Sequence, residues 1–315
     1  MTGQAIPQAL VDARDEFDNL IKDLRPELHR YCARMTGSVV DGEDVVQEAL
    51  AKAYYAMSTN PPVSNLRAWL FRIAHNKAID HLRRRDVRQT EPLDDYPLID
   101  DAAVEPLEER ELAAVAMGRL LELTAAQRSC VFLKDVMEYS LAEISELHDC
   151  SVTAVKATLH RGRARLRELA RESLPEEAPR LDEGEAKLLS GYVACFNARD
   201  FDGLRAMLAD DVRLDMVGRF QRRGALEVGE YFGRYSELDH LRVAVGTIDG
   251  QPAVLMYSAK EHPDTPMNFV MFDWAEDGSV SGIRDYMYAR HVIGEALAEE
   301  AACRTMVPRP SMVAL

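Results

Sequence analysis

One run constrains this chain more than any other: LAEISELHDCSVTAVKATLHRGRARLREL, residues 141–169. In its second half Val152, Val155, Leu159, Gly162, Leu166 and Leu169 recur at 3-4-3-4-3 spacing, a single apolar stripe on an α-helix. Gly162 within the stripe permits another helix to approach closely. Thr153, Lys156, His160, Arg163 and Arg167 keep the same spacing one position on and form a contiguous polar, basic flank. HDC breaks the pattern, and Ser151 offers its side chain as N-cap for the second helix. SLAE (140–143) and, upstream, TAAQ (124–127) both match the capping box. Two short helices joined by a tight turn, the second small and polar at its start, describe a helix-turn-helix. Ala154, Ala157 and Thr158 are small enough to let that end approach base edges, while Lys and Arg hold phosphates. The plainer alternative for this stretch alone is a basic, solvated helix in a bundle.

Taken whole, the net charge of −15 argues against nucleic acid, but its distribution removes the objection. Residues 1–90 and 119–174 each carry +1, residues 91–118 carry −8 and residues 175–315 carry −9. The bases therefore cluster in two near-neutral segments. At 315 residues and 47% hydrophobic the chain is long enough for two or three domains with real cores. No apolar run is long enough for a membrane span, and MTGQAIPQALVDARDEF lacks the pattern of a secretory signal, so no membrane partner is expected. Cys32, Cys130, Cys150, Cys195 and Cys303 contain no CxxC pair and read as reduced thiols of a cytoplasmic protein. No metal site, disulfide framework or cofactor is expected.

Residues 10–89 have helical periodicity. In DGEDVVQEALAKAYYAM (41–57), Val45, Val46, Ala49, Leu50, Ala53, Tyr54 and Met57 share one face. STNPPVSN ends that helix at two prolines. LRAWLFRIAHNKAIDHLRRR (66–85) is apolar almost all round in its first half and turns basic at its end. Residues 90–111, with three prolines and nine acids, form an extended linker. Helices resume over 112–174, and LPEEAPRLDEGE contains a second linker, 175–184. Residues 185–294 have another character: helices at 185–199 and in FDGLRAMLA, followed by strand-like segments VRLDMV, LRVAVGTI, PAVLMYSAK, MNFVMFDW and VSGIRDYMYAR. Asp-Gly pairs at 249–250 and 277–278 sit where hairpin turns are needed. This predicts an α+β domain, with helices first and a curved antiparallel sheet after, ahead of a tail at 295–315.

Taken together and in order, DGEDVVQEALAKAYYAM, NLRAWLFRIAHNKAIDHLRRR and YSLAEISELHDCSVTAVKATLHRGRARLREL resemble the two all-α domains of extracytoplasmic-function sigma factors of bacterial RNA polymerase, over about residues 14–172. The resemblance implies that 10–89 is sigma domain 2 and 112–174 sigma domain 4, with core RNA polymerase and promoter DNA as partners. It implies that Asp44, Gln47 and Glu48 dock on the polymerase clamp; the plainer role of Glu48 is an i,i+4 pair with Lys52. The loop around Asn60, Ser64 and Asn65 would catch an unstacked base of the −10 element, which must repay a few kcal/mol of unstacking. Asn76, Lys77, His81, Arg83, Arg84 and Arg85 would line promoter DNA, with Asp80 orienting a neighbouring side chain. Trp69 and Phe71 are candidate stacking groups, though apolar positions favour a core role. Ser151, Thr153, Lys156, His160, Arg161 and Arg163 would face the −35 element. Family recognition helices often carry Ser and Arg where this chain has Ala157 and Thr158, so two polar contacts are missing. The acidic linker would thread toward the RNA exit path, or serve as a solvated tether.

LLSGYVACFNARDFDGLRAMLADDVRLDMVG and the strands after it resemble the SnoaL-like group of the NTF2-like fold, a cone of curved sheet lined by helices. That fold hosts enzymes and binding modules alike. Asp215, His240, Tyr257 and Asp285 are the polar strand residues that could enter a conical pocket for an unknown small ligand. Regulation of the sigma domains by this appended domain is the favoured reading, and no enzymatic activity is expected. Two alternatives stay open: a ligand-responsive repressor, and a cone-fold enzyme on a DNA-binding scaffold. A repressor needs neither a docking face at 44–48 nor a melting loop at 60–65.

Overall fold

The computed structural model describes residues 8–59, 65–85, 117–171, 181–261, 263–296 and 298–300. They fall into two units, one drawn from residues 1–178 with 289–296, the other from 179–288 with 297–315.

The first unit is helical. α1 (Gln8–Thr36), α2 (Val39–Thr59) and α3 (Leu66–Arg85) bury Leu28, Tyr31, Met35, Val46, Ala53, Leu70 and Phe71 among themselves. α1 stops at Gly37, whose φ of 76° is strained for a residue with a side chain and whose N–H bonds Ala33 O at 2.8 Å. Tyr54, placed by periodicity on the apolar face of α2, is 40% exposed. Phe71 is core, whereas Trp69 is half-buried.

A 3-10 turn (Met117–Glu122), α4 (Ala125–Val131) running into a π-turn (Phe132–Val136), α5 (Leu141–His148) and α6 (Val152–Arg171) make the second helical module. Both expected capping boxes form, at Thr124 with Gln127 and at Ser140 with Glu143. Ser151 Oγ accepts the Ala154 N–H at 3.1 Å and starts α6. A Cβ on Gly162 would lie 2.8 Å from Val131 Cγ2, so glycine is what lets α6 close on α4. Residues 289–296, which the sequence places partly in the appended domain and partly in the tail, belong to this helical unit as the short helix Arg290–Ile293 against α1 and α2.

The second unit begins with α7 (Glu183–Asn197) and α8 (Phe201–Ala206). A seven-stranded sheet follows in the order β2-β1-β6-β5-β4-β3-β7. Its strands are β1 (Leu208–Met216), β2 (Phe220–Arg223), β3 (Leu241–Ile248), β4 (Gln251–Ser258), β5 (Asn268–Trp274), β6 (Val280–Asp285) and β7 (Ala298–Glu300), with α9 (Ala225–Gly229) and α10 (Tyr231–Ser236) between β2 and β3. Asp249 (φ 48°) and Gly250 (φ 79°) turn β3 into β4 as a two-residue hairpin. The sheet is not wholly antiparallel: β1 pairs parallel to β6. That contact joins strands more than 60 residues apart, which local turn signals do not encode. Tyr192, Phe196, Phe232, Leu214, Met256 and Val270 fill the space between the helices and the inner face of the sheet.

Candidate nucleic-acid interface

The helix-turn-helix is built from local chemistry. Asp149 closes α5 in the left-handed conformation (φ 51°), and Ser145 Oγ donates to Cys150 O at 2.6 Å, which fixes the turn before Ser151. α6 then presents Ser151, Thr153 and Lys156 as exposed, while His160 and Arg161 are half-buried. Ala154, Ala157 and Thr158, whose small size was expected to let that end approach base edges, are buried at 3, 7 and 2% exposure. Ala154 and Thr158 border the Val155–Leu159 stripe, widening the apolar face beyond what the strict spacing suggests. Arg163, expected to hold phosphate, is bound to Asp135 through Nε–Oδ2 at 2.9 Å and a second parallel contact. Both partners are nearly buried, with side chains 12% and 3% exposed, so this guanidinium is a strut between α6 and the π-turn.

On α3, Asn76 is exposed and His81 faces Asp41 at 3.9 Å. Lys77 Nζ donates to Glu48 at 3.0 Å, and Arg84 stands 3.6 Å from the same carboxylate. Glu48 therefore bridges α2 to α3 and does not rely on Lys52, and the Lys77 hydrogen bond holds its carboxyl below the usual range. Arg83 lies 3.9 Å from Asp80. Asp44 and Gln47 are half-buried on the same helix as Glu48. Asn65 caps α3, its Oδ1 accepting the Ala68 N–H at 3.0 Å. Asn60, Ser64 and the side chain of Arg85 lie outside the described residues.

The sequence carried no sign of how the two helical modules meet. Tyr31 OH of α1 lies 2.6 Å from His75 Nδ1 of α3 and 2.7 Å from Ser129 Oγ of α4. Ser129 Oγ in turn lies 2.9 Å from His148 Nε2 of α5, and the two imidazoles meet edge-on at 4.6 Å. Burial lowers the pKa of His75 to about 3 and of His148 to about 4, so both are neutral at pH 7. Beside them the fully buried Arg128 donates to Met35 O and to Leu123 O, and burial lowers its pKa to about 10. Phe71 and Tyr139 rings complete the contact at 5.5 Å. A second buried centre holds Glu43 between Arg25 and His291, the latter at 3.1 Å. Burial alone would raise the Glu43 carboxyl, but the His291 hydrogen bond and the Arg25 charge overcome it and hold it low.

The four residues expected in a conical pocket do not converge. Asp285 faces the inner core, where Tyr231 OH (2.7 Å), Tyr235 OH, Asn268 Nδ2 (2.9 Å) and Met287 N–H (2.8 Å) all donate to it. Asp215 and Tyr257 lie on the opposite face of the sheet, and His240 precedes β3 in a turn. Strand alternation explains the split, because neighbours in register with core residues and those one step away point to opposite sides. Four donors thus engage the two oxygens of the buried Asp285 carboxylate.

Two family models match the helical unit: Sigma-70 region 2 over residues 20–88 and Sigma-70, region 4 over residues 116–166. The ECF RNA polymerase sigma factor SigG of Mycobacterium tuberculosis is 31% identical over 299 residues, spanning 84% of this chain and 80% of that protein. SigW of Bacillus subtilis is 31% identical over 183 residues, 55% of this chain and 98% of that protein. The crystal structure of the Mycobacterium tuberculosis extracytoplasmic function sigma factor SigJ covers 85% of this chain and 95% of its own, at 21% identity and a TM-score of 0.34. The similarity to SigG runs through both units of the chain. The chain belongs to the ECF sigma factors of RNA polymerase.

Proposed function

We propose that this sigma factor binds core RNA polymerase through Asp44, Gln47 and Glu48, lines the −10 region with α3, and reads the −35 region with the start of α6. The observation that carries the reading is the division of labour on α6: Ser151, Thr153 and Lys156 stand exposed at its first turns, while Arg163 is committed to Asp135. The N-terminal turns of a second helix are where a helix-turn-helix meets base edges. The −10 and −35 elements lie about 25 base pairs apart, about 85 Å of duplex at 3.4 Å per base pair. Two modules joined by the Tyr31–Ser129 contact are far too close to span that distance. Promoter engagement therefore requires them to separate, and the closed contact is a resting arrangement.

The second unit acts as a regulator of this opening and not as an enzyme, a role supported by the saturated Asp285 and by its net charge. Residues 175–315 carry −9, which repels DNA and favours basic surfaces. A small ligand of the second unit would set the balance. Among the described residues no helix is long and apolar enough to cross a membrane, and the site of action proposed is the cytoplasm. Run-off transcription with core polymerase tests the reading by comparing the full-length protein, the 1–178 protein and full-length His291→Ala, the last separating loss of the Glu43 contact from loss of the second unit. A promoter-specific transcript that changes on truncation is expected. Failure of the full-length and 1–178 proteins alike to bind core or to start a transcript would sink it.

A further inference from the structure

The outer face of the second unit's sheet carries a charged grid that the sigma activity does not use. On β1, Val212, Leu214 and Met216 face the core, so Arg213 and Asp215 face away from it. In register, Arg213 lies directly opposite Arg223 of β2 on one side and Gly282 of β6 on the other. Gly282 in turn pairs with Asp273 of β5. These residues line a cleft of about 690 Å³.

Three features set this cleft apart from ordinary surface charge. Like charges directly opposite on neighbouring strands are destabilising, yet Arg213 and Arg223 are both exposed and neither guanidinium makes a hydrogen bond or ion pair among the described residues. Gly282 leaves a floor of bare peptide, and Asp273 leans over it, so a Cβ there would clash with Asp273 Oδ2. Arg213 and Arg223 stand at one side of the cleft and Asp273 at the other, and Arg222, Arg284, Asp215 and Glu227 also line it, with Asp215 and Arg284 opposite each other in register. Its volume falls in the range of small-molecule sites.

We infer that this cleft binds a small molecule with an oxyanion, phosphate or carboxylate, at one end and a hydrogen-bond donor at the other. Paired guanidinium groups suit the planar or tetrahedral oxyanion, and Asp273 takes the donor. A polyanion such as DNA fits poorly, because Asp215, Glu227 and Asp273 line the same cleft and residues 175–315 carry a net −9. The inference rests on the reading of the second unit as a regulator and names the class of ligand it answers to.

The test is calorimetric titration of the full-length protein, at constant ionic strength, with inorganic phosphate, succinate and O-phosphoethanolamine. One anion class should bind saturably, which separates phosphate from carboxylate. If phosphate is the class, O-phosphoethanolamine should bind more tightly than phosphate, and Asp273→Asn should erase that preference. Removing both forks in Arg213→Gln/Arg223→Gln should weaken binding more than about tenfold, since each charge-assisted bond exceeds a typical neutral one. The same double variant should keep or raise Tm, because two opposed charges are gone; a purely structural role predicts the reverse. Lys260→Gln, elsewhere on the surface, should change nothing. The inference is overturned by no saturable binding of any of the three probes, by equal affinity in the double variant, or by a double variant that loses Tm but not affinity. Binding is read apart from transcription, so a failed titration leaves promoter-directed initiation standing.

Discussion

Replacing Ser129 with alanine should open the contact between the two helical modules. Ser129 Oγ links Tyr31 OH at 2.7 Å to His148 Nε2 at 2.9 Å. Tyr31 keeps His75 Nδ1 at 2.6 Å after the substitution, so its hydroxyl stays partnered. His148 Nε2 loses its hydroxyl partner inside a closed contact. An unsatisfied buried polar group costs about 1–3 kcal/mol, and the removed oxygen is too small to leave a costly cavity. At about 2 kcal/mol the closed-to-open ratio falls roughly 30-fold, at 1.4 kcal/mol per factor of ten. Each module keeps its own core, so the loss falls on their association. Hydrogen exchange of the α4 and α5 amides should accelerate in Ser129→Ala, and anisotropy titrations with a promoter duplex and core polymerase should show tighter binding. A variant that melts at lower temperature while exchange across the contact and promoter binding both stay at wild-type values would refute the reasoning.

Acid should act on the same contact. His75 and His148 are held near 3 and 4 in the closed form against about 6.5 when exposed, so the open form binds protons first. The closed form keeps its full stability above pH 6.5 and loses it as pH falls, each imidazole withdrawing up to about 2 kcal/mol by pH 5. Exchange rates at α5 that are flat from pH 7.5 to 5, after correction for intrinsic chemistry, would contradict this. Lys156→Ala should reduce the salt slope of promoter binding by about one unit. Arg163→Ala should leave that slope unchanged and cost about 3–5 kcal/mol of stability through the orphaned Asp135; thermal melts and salt titrations of the two variants decide between these roles. Gly162→Ala should cost about 1–3 kcal/mol in thermal unfolding, because its Cβ would press on Val131 Cγ2 at 2.8 Å and Gln127 O at 3.2 Å.

Features written in neighbouring residues are legible in the sequence. The stripe read from Val152 to Leu169, of which Val152 alone is 39% exposed, the caps at Thr124, Ser140 and Ser151, the Asp249–Gly250 hairpin and the order of helices before strands in the second unit all depend on contacts a few residues apart. Each follows from backbone periodicity and a side chain that reaches its own turn. Exposure was legible only roughly: Ala157 and Thr158 turned out buried, because the width of an apolar face depends on what covers it.

The partners of individual charged and polar side chains were decided by tertiary structure alone. Arg163 finds Asp135 across 28 residues, Lys77 finds Glu48 across 29, and Tyr31 finds Ser129 across 98. A sequence shows that an arginine lies on a basic flank, but not whether a carboxylate from another element reaches it first. Likewise Asp215 and Asp285 look equivalent as strand carboxylates, until the parallel pairing of β1 with β6 sends one to the outer cleft and the other into the core. By itself the sequence determined the helical modules, their order and their family. Which of their charges remain available to DNA, and which hold the protein closed, depended on the fold, because Coulomb and hydrogen-bond energies act over a few ångströms that only three-dimensional packing brings together.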